Sequence, residues 1–176
     1  MVVKAMLRGA QITASALVLA GVLSACAGRH FDGQVYRDDN VAFQVGPVPS
    51  GFSPISSDES LLAWNNRSSG AMIALSARCH RDGDDIPLEA LVQHLFIQLT
   101  DRETLRSERF QLDGREALES ELTARLDGVP RHFLVVVLKK DGCVYDQVYV
   151  DRGGDDPALV RSRAEFRAMA RGFRTL

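Results

Sequence analysis

The spacing of apolar positions divides this chain into segments of distinct period. Residues 12–22 form a short, largely apolar run behind a basic start at Lys4 and Arg8. Val41-Ala42-Phe43-Gln44-Val45 instead alternates and is rich in β-formers, which predicts a strand. Gly46-Pro47-Val48-Pro49-Ser50-Gly51 then breaks any regular element. Residues 61–64 and 72–79 predict two further strands, separated by the turn-forming Asn65-Asn66-Arg67-Ser68-Ser69-Gly70. Leu88, Leu91, Val92, Leu95, Phe96 and Leu99 recur at spacings of three and four, the stripe of an amphipathic helix. Pro87 suits its first position, and Asp84 or Asp85 can accept hydrogen bonds from its first amides.

The second half is more regular. Three Asp-Gly pairs, Asp113-Gly114, Asp127-Gly128 and Asp141-Gly142, follow one another at intervals of fourteen residues. Asp-Gly favours two-residue hairpin turns because both positions need positive φ, so this spacing predicts a meander of strands about twelve residues long. Residues 133–138 are continuously apolar and 144–150 nearly so, as in central strands covered on both faces. Residues 116–125 favour helix by propensity. Turns bracket them at both ends, and strand is the reading adopted. A closing helix is expected after Asp156 as cap and Pro157 in the first turn, with Leu159, Phe166, Met169, Ala170 and Phe173 on one face. The stripe of Arg161, Arg163, Arg167 and Arg171 is expected to be its solvated face.

The start of the chain carries an address. The apolar run is about the length of a signal-peptide core and short for a membrane-spanning helix. Behind it, Leu23-Ser24-Ala25-Cys26 resembles the bacterial lipoprotein box. The resemblance implies a signal peptide at residues 1–25, cleavage before Cys26 and acylation of its thiol. Each buried CH₂ contributes about 0.8 kcal/mol, so several acyl chains together hold a protein on a membrane. The other reading is an ordinary secretory signal with a chance cysteine. Residues 26–33 are expected to be a lipidated tether. Ala27, where an aspartate commonly signals inner-membrane retention in such lipoproteins, implies the outer membrane, with the domain facing the periplasm.

Removing 25 of 176 residues leaves 151, enough for one core, and residues 34–176 are expected to form one domain. The removed segment holds two of the 21 basic residues and none of the 23 acidic ones, so the net charge moves from −2 to −4. No basic run stands out. Nucleic acid is therefore not an expected partner, because phosphate binding needs concentrated positive charge.

The order of elements resembles the PsbP-like α/β/α sandwich, an α+β fold in which helices cover an antiparallel sheet. The photosystem II extrinsic protein PsbP, a Ran-binding nuclear import factor and bacterial envelope lipoproteins share it. The resemblance rests on Val41-Ala42-Phe43-Gln44-Val45-Gly46-Pro47, on Leu112-Asp113-Gly114-Arg115-Glu116-Ala117 and on the ending Phe166-Arg167-Ala168-Met169-Ala170-Arg171-Gly172-Phe173. It implies a binding or assembly module rather than an enzyme, and it transfers no site residue.

Candidate chemistry is sparse. An oxidising compartment permits a disulfide between Cys79 and Cys143, the alternative being two half-buried thiols. Cys79-His80 lacks the further ligands zinc needs, and adjacent strand residues point to opposite faces, which argues against a nucleophilic dyad. His30 falls in the tether, His94 on the polar side of the first helix and His132 before the apolar strand. Asp82-Gly83-Asp84-Asp85 and Gly153-Gly154-Asp155-Asp156 precede helices, where acids favour the positive dipole end without any calcium. No metal or cofactor is expected. The expected function is a periplasmic lipoprotein, anchored through Cys26, that binds an envelope protein partner. The alternative is a small-molecule or lipid-binding accessory to an envelope transporter.

Overall fold

A computed structural model describes residues 28–79 and 86–176; Cys26, His80 and Asp82-Gly83-Asp84-Asp85 lie outside them. Eleven strands and two helices follow one another among the described residues. The first six strands are β1 (His30–Phe31), β2 (Val35–Arg37), β3 (Ala42–Gln44), β4 (Ser53–Ile55), β5 (Leu62–Asn66) and β6 (Ala71–Cys79). Helix α1 (Leu88–Leu95) leads into β7 (Thr100–Leu112), β8 (Arg115–Leu126), β9 (Val129–Lys140) and β10 (Cys143–Asp151). Helix α2 (Pro157–Arg171) and β11 (Arg174–Thr175) close the chain.

The meander stands as its turns dictate. Asp113, Gly114, Asp127, Gly128, Asp141 and Gly142 all have positive φ, and each pair joins two adjacent strands of β7 to β10. Residues 116–125 are strand throughout. Their helix propensity yields to burial, since Leu118, Leu122 and Ala124 face a core while Glu119 and Glu121 face the other side. The strands form a seven-stranded antiparallel sheet in the order β4-β5-β6-β10-β9-β8-β7, beside a four-stranded sheet β1-β2-β3-β11.

Each face of the large sheet carries its own core. On one face Leu134, Val136, Leu138, Tyr145 and Tyr149 pack under α2 and the small sheet, which contribute Phe166, Met169, Phe173 and Phe43. On the other, Phe133, Val135, Val137 and Val144 pack under α1 through Leu88, Leu91, Val92 and Phe96. Gly46 and Gly172 allow the small sheet and α2 to meet: a Cβ on Gly46 would lie 2.3 Å from the Met169 carbonyl oxygen.

Three expectations need correction. His30 and Phe31 pair with Arg37 and Tyr36, and Phe31 packs edge-on against Trp64, so ordered sheet begins inside the stretch expected as tether. Helix α1 ends at Leu95, short of Leu99, and Pro87 is its cap residue rather than its first helical one. The arginine stripe of α2 is solvated only in part: Arg161 is exposed, but Arg163 is buried and Arg167 and Arg171 reach carboxylates on the sheet.

Candidate protein-binding surface

The residues with chemical potential are mostly consumed by structure. Cys79 and Cys143 stand directly opposite in the β6–β10 ladder, with Cα atoms 4.0 Å apart, and their sulfurs are bonded. They line one wall, through Cys79, of a cleft of about 350 Å³ between the two sheets, with Arg29, Asp38 and Arg78 among its other walls. Burial pushes the Asp38 carboxyl up, but the amides of Asn40 and Val41 and the Tyr36 hydroxyl donate to it and hold it below its ordinary value.

Under α2 lies a chain of ion pairs. Arg163 donates twice to Asp151, at 2.8 and 2.9 Å, and both groups are buried. Burial raises the Asp151 carboxyl, yet the Arg163 guanidinium and the Gly153 amide outweigh it and hold it below the ordinary aspartate range. The Tyr149 hydroxyl, which also donates to Asp151, is pushed up to about 12, chiefly by burial. His132 sits beside them with Nε2 2.8 Å from Glu121. Arg167 bridges Glu119 and Glu121, and Arg171 reaches Glu119 while lying over the Phe110 ring. A buried network of ion pairs of this kind fixes the helix on the sheet. His30 is in β1 at the edge of the small sheet, and His94 is exposed on α1. Asp156 caps α2 through the Ala158 amide, so its loop does what capping requires.

A surface that sequence reasoning missed lies on the α1 face. Helix α1 spans only eight residues and packs over β8 and β9. At the end of the sheet marked by the β8–β9 turn, apolar side chains remain open. Ile97 follows α1 and is 70% exposed, while the cross-strand partners Leu126 and Val129 are 45% and 47% exposed. By the two-residue alternation of strands, Leu126 and Val129 share the face of Ala124 and Phe133. On the same face Met72, opposite Val150 in the ladder, is 43% exposed. Its only sequence signal was apolar residues flanking a hairpin turn, which reads equally well as core.

Similar solved structures share this architecture. Cyanobacterial PsbP (CyanoP) from Synechocystis superposes with a TM-score of 0.56 at 14% identity, covering 89% of this chain and 100% of that one. The fold is PsbP-like. The Ran-binding protein Mog1p of Saccharomyces cerevisiae gives a TM-score of 0.55 at 14% identity over 76% of this chain and 89% of its own. LpqN of Mycobacterium tuberculosis, a protein involved in cell envelope biogenesis, gives 0.50 at 17% identity over 78% and 86%. No family model matches the chain, and no curated relative matches it. In this PsbP-like sandwich the open apolar surface belongs to the layer that α1 covers incompletely, rather than to the layer filled by α2 and the small sheet.

Proposed function

We propose that this chain is a non-enzymatic lipoprotein, anchored through Cys26 to the periplasmic side of the outer membrane, whose domain binds a protein partner. One observation carries the binding role: the cross-strand pair Leu126 and Val129 stands exposed at the β8–β9 end of the sheet, with Ile97 and Met72 exposed besides. Clustered exposed apolar side chains of this kind mark sites of protein association. Position supports the anchored reading. Arg29, three residues after Cys26, lines the cleft at the Cys79–Cys143 end. Strand β9 runs from Val129 to Lys140, the partner of Cys143, so its 12 residues separate the two ends by about 40 Å. A membrane anchor at Cys26 leaves the apolar end pointing into the periplasm.

The small-molecule reading has less to stand on. The cavity between α1 and the sheet, lined by Val92, Phe96, Arg102 and Leu122 among others, is about 150 Å³. Ligand pockets usually hold about 300–1,000 Å³ and are lined mainly by apolar groups. The cleft of about 350 Å³ beside Cys79 has the volume, but Arg29, Asp38, Asn40 and Arg78 make much of its wall polar.

Crosslinking of intact membranes followed by capture of the full chain tests the proposal. The captured partner is expected to disappear with Ile97→Glu plus Val129→Glu while the protein stays folded and membrane-bound. Cys26→Ser is expected to release the protein from membranes and abolish labelling by a fatty-acid analogue. Retention of the partner by the double variant removes the assigned surface, and label persisting in Cys26→Ser removes the anchor.

A further inference from the structure

The two edges of the large sheet differ. At one edge β4 has three residues, including Pro54, which cannot donate to a neighbouring strand. At the other edge β7 runs for 13 residues without proline and is exposed along nearly all of its length. Two register shifts, between Thr100 and Glu103 and between Thr104 and Arg106, disturb its first half against β8. Such bulges deter strand addition. From Arg106 to Leu112 the register is regular, and nothing among the described residues pairs with the outer side.

The turn identifies which groups face outward. Asp113 and Gly114 form a two-residue turn with both φ values positive, so the flanking pair Leu112 and Arg115 exchanges both hydrogen bonds. Counting back in twos, Leu112, Phe110, Glu108 and Arg106 direct their peptide groups at β8. Gln111, Arg109 and Ser107 direct theirs away from it.

We propose that Arg106–Glu108, the start of the regular part of β7, pairs antiparallel with the same three residues of a second copy of this chain, about a two-fold axis at Ser107. That register puts Ser107 opposite its counterpart in a hydrogen-bonded pair. It also sets Arg106 opposite the second copy's Glu108, and Glu108 opposite its Arg106, in the closer non-hydrogen-bonded positions. Arg106 and Glu108 already form an ion pair along the strand on one face, so the two copies complete a ring of four alternating charges. Neighbouring registers lack this match. Centring on Glu108 opposes two glutamates, and centring on Arg109 opposes two arginines that Glu89 and Glu116 already hold. The charges thus favour the register centred on Ser107, the one that sets Arg106 opposite Glu108 across the two copies. The short paired stretch suits a reversible dimer, and its isologous symmetry closes at two copies.

Two experiments on the full chain test this. In intact cells, Ser107→Cys is expected to give a disulfide-linked homodimer under mild oxidation, and Asp58→Cys, in the loop joining the opposite edge strand β4 to β5, is expected not to. In detergent solution, sedimentation is expected to show self-association that Arg106→Glu or Glu108→Arg alone weakens about tenfold or more and that the two together restore. The proposal is overturned by a Ser107→Cys adduct containing a different protein, by equal homodimer from Asp58→Cys, by a wild-type chain that stays monomeric, or by single reversals that leave association unchanged.

Discussion

Asp151 and Asp146 are two buried carboxylates on one strand with opposite electrostatic fates. Asp151 takes two hydrogen bonds from the buried Arg163, and its carboxyl is held below the ordinary range. Asp146 is ion-paired with the more accessible Arg78, but burial dominates and its carboxyl is raised. A depressed carboxyl stabilises the fold at neutral pH and loses that contribution as pH falls through its folded pKa; a raised one contributes at low pH and loses its contribution as pH rises through its folded pKa. Asp151→Asn is therefore expected to cost about 3–5 kcal/mol at pH 7, because it leaves Arg163 buried without its counter-charge. It should also flatten the acid side of the stability profile below about pH 4. Asp146→Asn is expected to change stability at pH 7 by less than about 1 kcal/mol, since Arg78 can turn to solvent. Urea unfolding across pH checks both. A close approach rather than a charge governs Gly46, where a Cβ would meet the backbone of α2. Gly46→Ala is expected to cost about 1–3 kcal/mol in the same assay, as overpacking does.

At the scale of elements, hairpin turns were the most legible feature. The Asp-Gly pairs located three turns and, through them, the register of four strands. Gly128 has φ +78° and open space around it, so its constraint is conformational alone. Gly128→Val is expected to lower stability by about 1–2 kcal/mol, read as a lower melting temperature, because a β-branched residue resists the left-handed region. An unchanged melting curve would mean that the turn tolerates a different geometry. Helix α2 was legible in its cap and apolar face but not in its arginines. Repeating arginines look the same in sequence whether they meet water or carboxylates. Only the pairing of β9 with β8 on one side and β10 on the other set Glu119, Glu121 and Asp151 beneath the helix. The edge strand β7 carries no apolar periodicity, being exposed along most of its length, and only the turn that follows it hinted at its presence.

For the whole molecule, the link between Cys79 and Cys143 ties β6 to β10 across a separation of 64 residues. In the chain-entropy model a closure of that length stabilises the fold by about 4 kcal/mol. Replacing both cysteines by alanine is expected to lower unfolding stability by a large part of that amount, and thiol titration of the unfolded, unreduced protein should find neither sulfur free. The same link sits at the end of the sheet where Arg29 enters, with the open apolar surface at the other end. Loss of the disulfide should therefore weaken the fold without directly altering the surface proposed for the partner.

Local rules alone determined much of this protein. Turn chemistry located the meander, continuous apolar runs marked its central strands, an apolar stripe located α1 and a cap with an apolar face located α2, because each depends on residues close together in the chain. The tertiary structure decided the rest. Neighbourhood in a sheet depends on strand order, so the direct opposition of Cys79 and Cys143 followed only once β6 lay beside β10. Burial depends on what another element covers, so Arg163 became an internal partner while Leu126 and Val129 stayed exposed. Helix α1 is too short to cover its whole face, and that leaves open the surface to which we assign the partner.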